Sequence, residues 1–258
     1  MSLHVEAFGS GEPLLLIHGW GMHGGMWGDV ADRLAEDFRV LAVDLPGHGH
    51  SPRIEDRESS SALDAIVDEL AAQFDEPLTV CGWSLGGQIA LRWAARHPLQ
   101  VSRLVMVAST PCFVRRPGWD CAMAPDTLAQ FAAALQQDHA ATLRRFLALQ
   151  VRGSENEREL LARLRSALFS RGEPDMAALR SGLDILRDSD QRAVLPEIEQ
   201  PVLVIAGERD TLTPPQASRY SAEHLPDARL EIIEGAAHAP FLSHPEKFME
   251  SLKSFLHE

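Results

Sequence analysis

One serine of the chain lies in a setting that suits nucleophilic chemistry. Ser84 is the centre of the run Gly82-Trp-Ser-Leu-Gly86, which has the pattern G-x-S-x-G between a predicted strand and a predicted helix. In such a sharp turn the residues two before and two after the serine must be small, so that the backbones can pass closely. The turn would expose the Ser84 hydroxyl and place the Leu85 N–H at a helix N-terminus, where it can stabilise an oxyanion. The alternative is a glycine-rich turn that contains a serine by chance.

A serine hydroxyl needs a base and a group that orients the base, and candidates for both lie later in the chain. Asp210 and His238 each come just after a predicted strand, at the edge where sites form in parallel sheets. Glu208 is the alternative acid, and His224 and His244 are the alternative bases. Because His224 precedes the last strand and His244 leads into the final helix, we predict that Asp210 and His238 are catalytic together with the serine.

The second oxyanion donor is expected from the loop after the first central strand, which reads His18-Gly-Trp-Gly21. We assign this role to the backbone N–H of Trp20, with Gly19 permitting the turn and the Trp20 indole forming part of a pocket wall. His18 is expected to orient the loop through hydrogen bonds, and a role as a second base is the alternative.

The same loop also fits a different function. Residues 19–24 match G-x-G-x-x-G after a strand, and Asp44 ends the next strand twenty residues after the last of these glycines, as in a dinucleotide-binding fingerprint. An NAD-dependent oxidoreductase is therefore a competing hypothesis. Against it, the helical pattern begins only near Met26, and a turn-rich run at 45–51 follows Asp44. It also leaves the serine, the acid and the histidine without a role.

The elements that would position these residues alternate between strands and helices on both sides of a helical segment. Short apolar runs predict strands at 14–18, 39–44, 78–81, 103–108, 202–206 and 229–233. Amphipathic periodicity predicts helices at 125–137, 141–151, 155–169 and 175–187, and a final helix at 245–256. We therefore expect an α/β fold with a mostly parallel central sheet flanked by helices, formed by residues 1–110 and 191–258, with a helical lid at 111–190 inserted in this core.

Composition excludes several other classes of protein. The 37 acidic and 24 basic residues give a net charge of −13, which opposes general binding to nucleic acid or an anionic membrane. The three cysteines, Cys81, Cys112 and Cys121, form neither a metal-ligand spacing nor a disulfide framework, so we expect no metal and a reducing, cytoplasmic location. The sequence shows no leader pattern and no apolar run long enough to span a bilayer.

With these residues in place, the sequence resembles the α/β-hydrolase family over essentially its whole length. The runs 18–21 and 44–51 (Asp-Leu-Pro-Gly-His-Gly-His-Ser) and the serine turn are shared widely in that family. Segments 82–87, 108–113, 145–150 and 236–245 more narrowly resemble the carboxylesterases of biotin synthesis that act on the methyl ester of pimeloyl-acyl-carrier protein. The resemblance implies hydrolysis of that ester, with the acyl-carrier protein as partner and no cofactor.

Other functions remain open beside this one. A general carboxylesterase, a thioesterase or a C–C bond hydrolase of the same fold would use the same three residues, because these residues determine the chemistry better than the substrate. A ligand receptor without catalytic activity is a further alternative. We expect a monomer.

The predicted lid carries a stripe that bears on the substrate. Leu143, Phe146, Leu147 and Gln150 fall on one helical face, which by itself suits core packing. The resemblance implies that this segment lines an acyl channel, formed by Phe146, Leu147, Ala148, Leu149 and Gln150. Trp83, beside the nucleophile, could be either pocket wall or packing.

The predicted lid is also locally basic. Residues 144–171 hold seven arginines and three glutamates, a net of +4. Because arginine suits phosphate, we interpret this group as including contacts to an acidic carrier protein and its phosphopantetheine phosphate; the candidates are Arg144, Arg145, Arg152, Arg158, Arg163 and Arg165. The alternative is a solvated helix face in which the arginines pair with Glu155, Glu157 and Glu159.

Overall fold

The computed structural model describes residues 2–54, 61–154 and 156–257, and this part of the chain is built around a seven-stranded sheet. In chain order the strands are Val5–Phe8 (β1), Pro13–Ile17 (β2), Arg39–Val43 (β3), Leu78–Trp83 (β4), Val101–Val107 (β5), Val202–Gly207 (β6) and Ala228–Ile233 (β7). Their spatial order is β1-β3-β2-β4-β5-β6-β7, and neighbouring strands are parallel except for β1 and β3. The carboxyl ends of the parallel strands therefore meet at one edge of the sheet.

The central strands are buried along their whole length. Every residue of β4 and β6 is buried, and β2 is buried after its first proline, as expected for a parallel sheet that is covered on both faces. The six strands predicted from apolar runs are all present, with ends that differ by at most two residues. β1 was not predicted, because this short antiparallel edge strand is only partly buried and has no continuous apolar run.

Helices cover the sheet and fill the segment between β5 and β6. They are Asp29–Leu34 (α1), Ala62–Gln73 (α2), Leu85–Arg96 (α3), Pro125–Gln137 (α4), His139–Val151 (α5), Glu157–Leu168 (α6), Met176–Asp188 (α7), Pro215–His224 (α8), Pro240–Ser243 (α9) and Pro245–Leu256 (α10). The predicted bounds of α4 and α10 are confirmed. α5 begins two residues before its predicted start, because the Asp138 side chain caps it by accepting from the Ala141 N–H at 2.9 Å. Residue 155, the predicted start of the next helix, lies outside the described residues.

The segment from Pro111 to Asp190, hereafter the insertion, leaves and re-enters the sheet region at one place. The Gln191 N–H donates to the Pro111 carbonyl oxygen at 2.8 Å, and Cys112 forms an antiparallel bridge with Asp190. Helices α4 to α7 lie within this segment, and short extended pairs precede them. The helices thus form one continuous insertion between β5 and β6.

No helix in the described ranges is both long enough and apolar enough to cross a membrane. Within the same ranges, no cluster of three or more histidine, cysteine, aspartate or glutamate side chains could hold a metal ion.

Candidate active site

Ser84 lies in a strained turn between β4 and α3. Its φ of 57° and ψ of −116° place a non-glycine residue in an unfavourable backbone region, and its N–H donates to the Val107 carbonyl oxygen at 2.9 Å. A methyl group at Gly82 would lie 2.2 Å from the Gly86 oxygen, and one at Gly86 would lie 2.4 Å from the Ile17 oxygen. The glycines therefore have the steric purpose that the sequence pattern predicts.

Ser84, His238 and Asp210 are joined by hydrogen bonds. The distance from His238 Nε2 to Ser84 Oγ is 2.8 Å, and the distance from His238 Nδ1 to Asp210 Oδ2 is 2.7 Å. Because a carboxylate only accepts, the histidine carries its proton on Nδ1 and Nε2 accepts from the serine hydroxyl. All three side chains are buried, and each follows a parallel strand at the same sheet edge. The structure thus brings together the three residues predicted to be catalytic.

Asp210 is held by its own turn. Its Oδ1 accepts from the N–H groups of Leu212 and Thr213 at 2.8 and 3.0 Å, and its Oδ2 accepts from Thr213 Oγ1 at 2.8 Å. Thr213 is buried and was not singled out in the sequence. The sequence offers only one indication of its role, a hydroxyl residue three positions after an aspartate, and this pattern is too common in turns to single it out.

The backbone of His238 is bonded on both sides. Its N–H donates to the Gln150 carbonyl oxygen at 3.0 Å, and its own carbonyl oxygen accepts from Trp83 Nε1 at 2.8 Å. Trp83 is buried and its ring also contacts Phe241, with centroids 5.0 Å apart. Of the two roles considered for Trp83, these contacts indicate packing that holds the histidine.

The alternative acid and bases have other partners. Glu208 accepts from the Gly235 N–H at 3.1 Å. His224 Nδ1 donates to the Tyr220 carbonyl oxygen at 2.8 Å and its ring stacks on Tyr220. His244 Nδ1 lies 2.9 Å from Ser243 Oγ. In the described part of the chain none of them contacts the serine.

The loop of residues 18–25, hereafter the β2 loop, passes directly beside Ser84. A methyl group at Gly19 would lie 3.3 Å from Ser84 Cβ, so the loop reaches Ser84 one residue before Trp20. Leu85 is the first residue of α3. None of the described residues accepts a hydrogen bond from the backbone N–H of Trp20 or Leu85. Both groups thus flank the serine.

Both ring nitrogens of His18 are used inside the protein. Nε2 accepts from the Leu45 N–H at 2.9 Å, so the proton is on Nδ1, which donates to the Gly19 carbonyl oxygen at 2.8 Å. Burial, followed by the nearby His48, lowers the pKa of His18 to about 3. These contacts are those of a neutral residue that orients the β2 loop.

The contacts of Asp44 argue against a dinucleotide site. Its buried carboxylate accepts from the N–H groups of Gly24 at 2.7 Å and His50 at 2.9 Å, and also from Arg171 at 3.1 Å. Burial opposes ionisation, but these hydrogen bonds and the guanidinium bring the net pKa of Asp44 below its ordinary value. A carboxylate engaged in this way does not present its oxygens to a ribose.

A small apolar cavity of about 60 Å³ adjoins the site. Its lining includes Trp20, Phe131, Phe146, Leu149 and Leu212. The Trp20 ring meets Phe146 edge-on with centroids 5.0 Å apart, and Trp20 Nε1 donates to the Leu179 carbonyl oxygen at 2.9 Å. The indole is therefore fixed in the cavity wall.

The predicted channel residues 146–150 do not all face this cavity. Phe146 and Leu149 line it, whereas Leu147 is wholly buried in the core, and Ala148 and Gln150 line neither described cavity. The reason is helical geometry, since residues that follow one another are about 100° apart around the axis. Gln150 is buried next to His238, and its Oε1 has no hydrogen-bond partner in the described ranges.

A second cavity of about 350 Å³ lies between α2 and α7. Its lining includes Leu85, Gly182, Arg53 and Arg180. A methyl group at Gly182 would lie 2.6 Å from Trp20 Cδ1 and 3.4 Å from Leu85 Cδ2, so this glycine lies between the two residues that flank the serine. The sequence did not indicate this cavity.

The six arginines of the basic segment that were considered for carrier binding differ in whether they contact another side chain. Arg145, Arg152, Arg158 and Arg165 are exposed, and none of them forms an ion pair within the described residues. Arg163 instead pairs with Asp29 at 3.0 Å, and Arg144 lies over the Phe169 ring at 5.7 Å. All six arginines considered from the sequence are therefore exposed, and the first four have no ion-pair partner in that part of the chain.

This fold and this arrangement of side chains define an α/β-hydrolase. A model of the alpha/beta hydrolase fold family matches residues 12–245, and the chain belongs to that family. A pimeloyl-[acyl-carrier protein] methyl ester esterase of Nitrosomonas europaea is 46% identical over 96% of this chain and 97% of its own length, and one of Chromobacterium violaceum is 45% identical over 99% and 98%. An esterase from Exiguobacterium antarcticum is similar in structure, with a TM-score of 0.89, 27% identity and coverage of 99% of this chain and 96% of its own. The predictions of family and fold are confirmed.

Proposed function

We propose that this chain is a serine carboxylesterase that hydrolyses the methyl ester of pimeloyl-acyl-carrier protein and releases methanol, a step of biotin synthesis. The observation that carries the proposal is the hydrogen-bonded series from Ser84 through His238 to Asp210. The substrate comes from the names of relatives that are 46% and 45% identical over nearly the whole chain. A general esterase, a thioesterase and a C–C bond hydrolase are outcomes of the test below.

The geometry supports an acyl-enzyme mechanism. His238 Nε2 takes the proton of Ser84 as Oγ attacks the ester carbonyl, and Asp210 stabilises the imidazolium that forms. The N–H groups of Trp20 and Leu85 hold the oxyanion. His238 then donates this proton to the departing methoxy oxygen, so that methanol leaves, and water attacks the acyl-enzyme with the same histidine as base. The free acid leaves on the carrier, and no cofactor takes part.

The apolar cavity supports an aliphatic acyl group as substrate. Phe146, Leu149 and the Trp20 ring offer only apolar surface to a methylene chain. Gln150 is not part of this surface, because it lines neither described cavity.

In this proposal the insertion is a lid, with residues 111–190 lying over a core of residues 1–110 and 191–258. Two hydrogen bonds support this proposal, one from His238 to Gln150 and one from Trp20 to Leu179. Through them the insertion reaches both sides of the serine. The exposed arginines without an ion pair in the described residues, Arg145, Arg152, Arg158 and Arg165, suit an acidic carrier protein and the phosphate of its prosthetic group. The protein would act in the cytoplasm as a monomer.

The decisive measurement is kcat/KM for the methyl pimeloyl group on carrier protein, on a short thiol and as a free diester. We expect a large preference for the carrier-bound ester and release of methanol. Equal rates on all three would identify a general esterase, and release of free thiol would identify a thioesterase.

The nucleophile is tested separately. A fluorophosphonate should label Ser84, and Ser84→Ala should abolish both labelling and turnover while the protein remains folded. Ser218→Ala, which removes another buried serine hydroxyl, is the matched control and should be labelled like the wild type. Appreciable ester turnover by Ser84→Ala would refute the mechanism.

Docking of the carrier protein on the exposed arginines is tested by charge reversal. Arg145→Glu and Arg158→Glu should lower kcat/KM for the carrier-bound ester about tenfold or more and leave a small methyl ester unaffected, because rim charges act mainly on association. Arg219→Glu, at an exposed arginine of α8, is the control and should change neither rate. Equal losses on both substrates would contradict docking at this surface.

A further inference from the structure

The insertion reaches the β2 loop through a buried ion pair. Arg171, between α6 and α7, donates through Nη1 to Asp44 Oδ1 at 3.1 Å and through Nη2 to Glu6. The Arg171 side chain is only 11% exposed and that of Asp44 is wholly buried. Loss of Arg171 would leave the buried Asp44 carboxylate without its cationic partner, so the arginine constrains the position of this carboxylate.

Asp44 in turn holds the β2 loop. The same Oδ1 that accepts from Arg171 also accepts from the Gly24 N–H at 2.7 Å, while Oδ2 accepts from the His50 N–H at 2.9 Å. A methyl group at Gly49 would lie 2.2 Å from Oδ2, so the turn after β3 closes tightly around this carboxylate. Arg171 is thus connected to the backbone of the β2 loop through the Asp44 side chain.

Two further contacts from the insertion reach the same loop. His23 Nε2 donates to the Ala167 carbonyl oxygen at 2.8 Å, while its Nδ1 accepts from the Gly25 N–H at 3.2 Å. Trp20 Nε1 donates to the Leu179 oxygen at 2.9 Å. Ala167 precedes Arg171 in the chain and Leu179 follows it. The insertion therefore holds the β2 loop at His23 and at Trp20.

We infer that Arg171 is a positioning residue for ester hydrolysis. It acts through Asp44 and Gly24 to hold the Trp20 N–H at the place where the oxyanion forms. Stabilisation of an oxyanion depends on donors that are already in position, and a displacement of about 1 Å is enough to lose much of the effect. The inference rests on the proposed function, because it assigns Arg171 a part in the chemistry of Ser84.

A second ion pair provides a matched comparison. Arg163 of α6 also ties the insertion to the core, through Asp29 at 3.0 Å. Its side chain is 47% exposed and Asp29 is 81% exposed, and within the described residues neither side chain forms a hydrogen bond with the β2 loop. If a bond between the insertion and the core were all that mattered, loss of either arginine would have the same effect on the reaction.

The test compares Arg171→Met, Arg171→Lys and Arg163→Met on a short soluble methyl ester, which needs no carrier docking. We expect kcat to fall about 10- to 100-fold in Arg171→Met with KM changed less than about threefold, a smaller loss in Arg171→Lys, and wild-type values in Arg163→Met. Phenylboronic acid, which forms a tetrahedral adduct with an active-site serine, should bind Arg171→Met more weakly in proportion to the loss of kcat. Methylguanidinium should restore part of kcat to Arg171→Ala.

Three results would overturn the inference. They are a folded Arg171→Met with wild-type kcat, a loss of kcat without weaker boronate binding, and an equal loss in Arg163→Met. If Arg171→Met does not fold, the same measurements on Arg171→Lys decide. The proposed function is judged separately, because absence of turnover by the wild type would refute that function and would leave no Arg171 effect to measure.

Discussion

The backbone N–H of His238 donates to the carbonyl oxygen of Gln150, so the proposed catalytic base is bonded directly to helix α5 of the insertion. On its other side the His238 carbonyl oxygen accepts from the Trp83 indole. The imidazole is therefore oriented by its backbone as well as by Asp210. Three parts of the chain that are far apart in sequence must all be in place before Nε2 can reach the serine.

The indole bond can be tested with Trp83→Phe, which keeps an aromatic ring and removes the Nε1 donor. Loss of one buried hydrogen bond should cost about 1 kcal/mol in the free energy of unfolding, and kcat should fall about three- to tenfold because the His238 loop is held less firmly. Trp93→Phe is the control, since Trp93 Nε1 donates to Gln100 Oε1 at 3.0 Å. It should lose similar stability and keep its kcat. A Trp83→Phe variant with unchanged kcat would contradict a positioning role.

Thr213→Val should impair the reaction by leaving Asp210 without the hydroxyl that donates to Oδ2. Because hydrogen bonds to charged groups are stronger than neutral ones, we expect kcat to fall about tenfold with little change in KM. Thr213→Ser keeps the donor and should retain most of kcat. Steady-state kinetics on a small ester check both variants. Equal losses in valine and serine variants would show that the methyl group, and not the hydroxyl, matters.

Gly82→Ala should destabilise the protein strongly. The new methyl group would meet the Gly86 carbonyl oxygen at 2.2 Å, and backbone on both sides of the serine turn would have to move. We expect a loss of more than about 3 kcal/mol in the free energy of unfolding by urea. At Gly118 φ is +71°, and no atom of the described residues lies within 4 Å of an added methyl group, so alanine should cost only about 1 kcal/mol from backbone strain. Similar losses at the two sites would contradict the steric explanation.

The burial of His18 predicts a pH dependence of stability. Its pKa is lowered to about 3 from an ordinary value of 6.5, so below pH 6.5 the unfolded chain binds a proton that the folded chain does not. The free energy of unfolding should therefore fall as the pH falls from 6.5 towards 3, by about 1 kcal/mol per pH unit from this residue. The pKa values of His23 and His48 are also lowered, chiefly by burial, and act in the same direction.

Urea denaturation at several pH values between about 6.5 and 4.5 measures this slope, above the range in which most carboxylates titrate. His18→Gln should have a shallower slope than the wild type. Gln136→Asn, at an exposed glutamine of α4, changes no titratable group; it is the control and should keep the wild-type slope. Identical slopes in all three proteins would show that His18 is protonated in the folded state.

The sequence located the residues of the site that follow strands, and it missed those that depend on tertiary contact. Ser84, Asp210 and His238 could be found because parallel strands bring their carboxyl ends to one edge. Thr213 and Arg171 could not, since their importance lies in side chains that they meet only in the folded chain. The residue type alone does not say whether a hydroxyl or a guanidinium lies at the surface or in the interior.

Within the insertion, the sequence likewise could not predict which charges are exposed or which helical face lines a cavity. Seven arginines within one basic segment read alike in the sequence, yet Arg171 is buried against Asp44 while Arg158 is exposed. The run 146–150 covers more than one full turn of α5, so it could not present every side chain to one cavity. Periodicity identified the helix, and only the packing of α5 against its neighbours decided which of its faces meets the apolar cavity.

Ser84 and His238 are 154 positions apart in the chain, and Trp83 and His238, which are also hydrogen-bonded, are 155 positions apart. Contacts between such remote segments form late on average, because the entropy of closing long loops has to be overcome before they become favourable. A refolding chain can therefore regain helices and a collapsed core well before the serine becomes reactive. Covalent labelling of Ser84 would then report the final step of refolding, whereas circular dichroism would report the early ones.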